Sequence, residues 1–263
     1  MGLSEWYRRG ENSVTRERIF FHKLYFDLKL AGARRGYALT LFEPEVDRDA
    51  YDIVLDDGDG QRRVQLKSVV STGKTNHWGS TKRFMRLEAA YGDQIGMAPA
   101  DCGIGGAFVV IVIDDTDDEG KVQYLYTDYY LIEALGFRLV REKKPRKGLK
   151  SFGRDALDRV DFATRFLKAV HQGSSRDKID LDRKLFLRAA NADALLALLG
   201  LHSTANAAPI SDLVMRAITS GFRLMNDGSV DPNVSLEARA IADYAGHEIL
   251  RLMHEPLFEA YGR

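Results

Sequence analysis

The chain has 263 residues, 45% hydrophobic and 29% charged, enough to bury a core in one large domain or in a medium domain with a smaller companion. Lysine plus arginine equals aspartate plus glutamate at 38 each, so net charge neither indicates nor excludes a nucleic-acid partner, which must be sought in local patches. The single cysteine, Cys102, rules out an intrachain disulfide and a cysteine-rich zinc site. No apolar run approaches the ~20 residues of a membrane span, and the first residues lack the apolar stretch of a signal peptide, so a cytoplasmic protein is expected.

Residues 13–33 predict a helix. Ser13 can cap its start, and Phe20, Phe21, Leu24 and Leu28 recur at helical spacing. Residues 37–42 (YALTLF) alternate as a short strand. Two apolar runs follow, 50–55 and 63–70, joined by Asp-Asp-Gly-Asp-Gly, which is hairpin turn chemistry. Residues 68–80 then read as a polar loop, and 81–91 as a helix. The run AFVVIVID at 107–114 is the most apolar in the chain and predicts a buried central strand. After an acidic turn come a strand at 122–126 and a helix at 128–135. The order α-β-β-β-α-β-β-α predicts an α/β sandwich with a mixed sheet.

From Arg141 the character changes. Residues 141–154 hold seven basic residues and one acidic residue and read as a basic linker. Beyond it the patterns are helical, over 155–171, 182–199, 210–225 and 235–258. The expected division is an α/β domain over 1–140, the linker over 141–154, and an α-helical specificity or assembly domain over 155–263.

The hairpin carries the chemistry. Residues two apart on a strand share a face, so Asp52 and Val54 point one way while Tyr51, Ile53 and Leu55 point into apolar packing. On the partner strand Val64 and Leu66 join that packing, and Gln65 and Lys67 face the side of Asp52. A turn centred on Gly58 and Asp59 sets Asp52 opposite Gln65, with Lys67 a diagonal neighbour. An acid, an amide and an ammonium thus meet on one patch. Phosphodiester hydrolysis calls for that set: a carboxylate and a carbonyl to hold Mg²⁺, and a lysine to orient or deprotonate the attacking water or to offset charge on the phosphate.

The string Asp52-Ile53-Val54-Leu55, a glycine turn and Val64-Gln65-Leu66-Lys67-Ser68 resembles the signature of the PD-(D/E)xK (restriction endonuclease-like) nuclease superfamily, over roughly residues 13–126. The resemblance implies an αβββαβ core and a metal-dependent DNA endonuclease using Mg²⁺ or Mn²⁺, in restriction or anti-phage defence. It assigns Asp52 as metal ligand, Gln65 to the second ligand position, as in Mrr-type branches, and Lys67 as the catalytic lysine. Tyr51 stands where the family name has proline. Many members also carry a glutamate on the first helix, which matches Glu17. Glu17 lies four residues before Phe21 and seven before Leu24, so helical geometry sets it on the apolar stripe, where an unpaired carboxylate is costly. Its alternative role is to complement the helix dipole or to meet an arginine.

Weaker signals surround this group. Asp47 and Asp49 are either a further metal ligand or turn residues. Trp78 can stack on a base and His77 can touch phosphate, or the tryptophan folds onto its own domain. Lys74, Lys82, Arg83 and Arg86 suit a phosphate backbone, as does the basic stretch 141–154, or they are solvated surface. His202, His247 and His254 lack metal-ligand spacing. DNA is the expected partner, with a homodimer or a protein partner through the helical half left open. The competing reading is a catalytically silent nuclease-fold module that binds nucleic acid or protein.

Overall fold

The structure is a computed structural model that describes residues 2–45, 50–116, 119–140, 152–201, 209–225 and 228–254, with backbone alone over 152–158. After a short helix α1 (Leu3–Arg8), the long helix α2 (Ser13–Arg34) buries Phe20, Leu24, Leu28 and Ala31 along one stripe. Spacings of four, four and three put them on one face, as helical periodicity requires. Ser13 is the first helical residue rather than the cap, and the Asn12 side chain makes no capping bond.

Strands β1 (Thr40–Phe42), β2 (Ile53–Asp56) and β3 (Gln61–Val70) form an antiparallel run, and β3 pairs in parallel with β5 (Ala107–Ile113). The β2–β3 register is Ile53 to Val64 and Val54 to Arg63, which the turn chemistry predicts. Asp57 Oδ1 accepts the Asp59 and Gly60 amides, while Gly58 takes the left-handed conformation (φ 88°). Strand β6 (Val122–Asp128) lies antiparallel to β5, and β8 (Leu187–Arg188) to β6, giving the order β1-β2-β3-β5-β6-β8. All seven residues of β5 are buried, because both faces of the sheet are covered there. Tyr124 donates to Asp27 of α2, which places that helix on the face shared by Ile53, Val64 and Ile111. The other face meets Phe186, whose ring packs on Phe108 at 5.6 Å between centroids.

Three strands fall where the sequence pointed to loop or helix. Strand β4 (His77–Thr81) occupies the expected loop, and it pairs with β7 (Lys178–Asp182) in a second, two-stranded sheet. Both β7 and β8 come from the half expected to be all-helical, so the two halves share both sheets. The expected helix over 182–199 is a 3-10 turn, the β8 strand and the short helix α7 (Ala192–Leu198). The helix expected over 81–91 is broken into α3 (Lys82–Met85) and α4 (Ala89–Gln94). Helices α5 (Tyr129–Gly136), α6 (Phe152–His171), α8 (Ile210–Thr219) and α9 (Leu236–His254) lie near their expected positions. No helix among the described residues is long and apolar enough to cross a membrane.

Candidate active site

The site arises where β2 stops. Its ladder with β3 begins at Ile53, and Asp52 still donates its amide to the Val64 carbonyl. Beyond Val64, β3 continues for six residues beside β5 alone, so its other edge loses its strand neighbour. Edge amides left without a strand need another acceptor. The Asp52 carboxylate supplies one, accepting the Leu66 amide at 2.6 Å.

A cavity of about 560 Å³ opens at this edge, within the range of small-ligand sites. It is lined by Asp52, by Leu66, Lys67 and Ser68 of β3, and by Ile111 of β5. From α2 come Glu17, Arg18, Phe21 and His22, with Val14 at the rim, and Glu43 follows the end of β1. Three of the four residues assigned to the catalytic group therefore converge: Glu17, Asp52 and Lys67. Glu17 is exposed, which corrects its expected burial. It continues the stripe of Phe20 and Leu24 by one turn, where the helix lines the cavity.

Gln65 does not join them. Its Oε1 accepts a hydrogen bond from Ser80 Oγ of β4 at 2.9 Å, and it does not line the cavity. Sequence reasoning paired Gln65 with Asp52 across the hairpin. It lacked β4, the strand that claims the glutamine.

The expected nucleic-acid group is divided. Lys74, His77 and Arg83 are exposed, with His77 Nδ1 3.7 Å from Asp182 Oδ2. Trp78 is buried and packs edge-on against Phe186 at 5.0 Å, so it cannot stack on a base as the structure stands. Lys82 Nζ donates to the Gln172 carbonyl at 2.7 Å and lies 3.4 Å from Asp177. Arg86 is buried, its guanidinium donating to the carbonyls of Val170 and Gly173. Lys82, Arg86 and Trp78 hold the two-stranded sheet and α6 in place instead of facing a phosphate backbone. Asp47, Asp49, His202 and the basic residues 141–151 lie outside the described residues, as does the side chain of Arg154. His247 is exposed, 3.6 Å from Glu248.

Four cavity residues escaped the sequence reading: Arg18, His22, Glu43 and Ser68. Arg18 and His22 are four apart on α2, a spacing that places them on one face beside Glu17. Glu43 carried no such signal, because its position follows from where β1 ends. Arg18 adds a second cation, beside Lys67, to a lining that carries the carboxylates Glu17, Glu43 and Asp52.

Among the described residues no three His, Cys, Asp or Glu side chains gather closely enough to hold a metal ion by themselves. Mg²⁺ does not need such a cage. It is commonly held by one or two carboxylates, with water and substrate phosphate completing the shell. Asp52 and Glu17 fit that sparse arrangement, in which the ion is shared with the substrate. No protein-family model matches the chain, and no curated protein matches it.

Proposed function

We propose that the chain is a metal-dependent phosphodiesterase of the PD-(D/E)xK kind, cutting DNA as an endonuclease. The observation that carries this reading is the meeting of Glu17, Asp52 and Lys67 at one cavity on the open edge of β3. The element order supports it: a helix and three antiparallel strands, then two short helices and a parallel strand beside β3, with the additional strand β4 between.

Asp52 and Glu17 would hold Mg²⁺ or Mn²⁺. The ion would supply Lewis acidity toward phosphate and lower the pKa of a bound water. Asp52 is fixed for this by the Leu66 amide, which orients the carboxylate at the strand edge. Lys67 would neutralise charge that builds on the phosphate oxygens or, as the free amine, would accept a proton from the attacking water. Arg18, across the cavity on α2, adds a guanidinium suited to phosphate. Purified protein is expected to nick supercoiled plasmid with Mg²⁺ or Mn²⁺ and not with EDTA, and Asp52→Ala or Lys67→Ala should abolish nicking. Cleavage that persists in both variants would remove the assignment. RNA and single-stranded DNA beside the plasmid identify the polymer.

A second reading, a silent nuclease-fold module binding nucleic acid or a protein, is favoured by one observation: Gln65, the residue at the second ligand position, is engaged by Ser80. Calorimetry with Mn²⁺ separates the two. An active site binds the ion and loses it on Asp52→Asn, whereas a silent one gives the same null titration for both proteins.

A further inference from the structure

Helix α2 is apolar on two faces. At about 100° per residue, Ile19, Phe26, Leu30 and Ala33 fall on a stripe opposite the buried Phe20, Leu24, Leu28 and Ala31. All four are exposed, Phe26 at 62%, Ile19 at 48% and Leu30 at 40%. Exposed apolar residues scattered singly need no explanation, but three large ones at spacings of seven and four form a seam along one helix. A surface helix ordinarily turns polar residues to the side away from the core.

The borders of this seam are basic. Helical spacing sets Arg18, His22 and Lys29 along one side of it, and Lys23 and Arg34 along the other. The helix carries two carboxylates, and both lie on its inward half: Glu17 lines the candidate active site, and Asp27 is held by Lys23 and Tyr124. Carboxylates from other elements belong to cavities on the two flanks of α2. Glu43 and Asp52 line the first. A second cavity, of about 620 Å³, lies on the flank of Lys23 and Arg34 and has Asp114, Glu119 and Asp193 in its lining. Of these, Glu119 pairs with Lys121, and Asp193 is buried beside Arg34 and Arg35.

An apolar seam between two basic borders matches one kind of occupant. We propose that the outward face of α2 docks an acidic amphipathic helix of a protein partner. The partner's apolar stripe packs on Ile19, Phe26 and Leu30, and its Asp and Glu borders meet Arg18, Lys23, Lys29 and Arg34. From Ile19 to Leu30 the seam runs about 16 Å, or about three turns, so a partner segment of about fourteen residues covers it. A second copy of this chain fits less well, because α2 paired with itself in either direction sets basic borders against basic borders. An anionic membrane also fits less well. A flat surface that takes the seam brings its headgroups toward Glu17, Glu43 and Asp52 on one flank and Asp114 and Glu119 on the other. A helix about 10 Å across meets the seam and its borders alone. The docking face stands apart from the phosphodiesterase reading and does not depend on it.

The full chain, used as bait against a displayed library of helices of about fourteen residues, tests this. The library keeps a leucine seam and draws the bordering positions from Glu, Gln and Lys. Glu should be enriched at the borders. In fluorescence anisotropy a selected peptide should bind at least about tenfold more tightly than the same peptide with Lys for Glu, as several rim ion pairs together supply. Phe26→Asp should weaken it at least about thirtyfold, the loss of a central aromatic anchor. Lys29→Glu should narrow the preference for Glu. Phe26 is exposed and Lys29 half-buried, so neither substitution opens the core. A library without binders, enrichment of Lys, borders left unselected, or binding unchanged by Phe26→Asp would each overturn the docking site. A dimer in sedimentation that Phe26→Asp abolishes would give the face to a second copy instead. Capture of the wild type but not Phe26→Asp by phosphatidylglycerol vesicles, with no preference among peptides, would give it to a lipid surface.

Discussion

Asp52 and Asp115 show how differently one side-chain type can be used a few strands apart. Asp52 accepts the Leu66 amide and lines an open cavity. Asp115 is fully buried at the end of β5 and saturated: Ser71 Oγ, Thr72 N and Oγ1, and Arg8 Nε all donate to its carboxylate. Burial by itself would raise the pKa of Asp115, but the hydrogen bonds from Thr72, Arg8 and Ser71 outweigh it and hold the carboxyl far below the usual carboxylate range. A depressed folded pKa gives stability that is complete above the unfolded value and lost as pH falls through the folded one. The loss therefore begins near pH ~3.9 and deepens below it. Asp115→Asn should cost about 1.5–3 kcal/mol at neutral pH, as hydrogen bonds to a charged group do. Urea denaturation should show its stability to be flatter than the wild type's between about pH 4 and pH 2. Equal acid dependence in the two proteins would show that the carboxylate of Asp115 is not what ties α1 to the sheet.

At the scale of elements, β4 decides what the candidate site contains. Its residues, HWGST, have no apolar alternation, and its partner β7 is about a hundred positions away, so local pattern could not reveal it. Once present, β4 takes Gln65 through Ser80 and buries Trp78 against Phe186. Two sequence expectations change for one reason. By contrast, the β2–β3 register was legible because a two-residue period and an Asp/Gly turn specify pairing locally, and α2 and β5 were legible because each is long and strongly patterned. The place of Glu17 in line with Phe20 and Leu24 was legible from helical spacing, while its exposure was not, because the apolar period does not say where a helix overruns its sheet. Trp78→Ala should lower stability by about 3–5 kcal/mol, as loss of a buried tryptophan does. DNA affinity per folded molecule should stay unchanged. A stable variant with weakened DNA binding would return Trp78 to the nucleic-acid surface.

For the molecule as a whole, the boundary near residue 140 looks like a domain boundary in composition and is not one in strand pairing. β7 completes the sheet of β4, β8 extends the main sheet beyond β6, and Phe186 packs on both Trp78 and Phe108. Residues 1–140 produced alone would leave these strands and rings without cover. That fragment should give a collapsed, poorly dispersed amide NMR spectrum, and adding residues 152–254 should restore dispersion. A well-dispersed spectrum from the fragment alone would show that the first half folds by itself. The same layout sets both cavities against α2, one on each flank, with His22 in the first and Lys23 in the second.

The central claim is that Asp52 and Lys67 act on one phosphodiester from one cavity. Initial rates of Mn²⁺-dependent plasmid nicking by Asp52→Ala, Lys67→Ala and the double variant test it most directly. Groups that act as a unit are strongly non-additive, so each single substitution should fall to the level of the double one, indistinguishable from protein-free DNA. Single variants that nick at the wild-type rate, or losses that multiply independently to reach the double variant, would contradict a shared site.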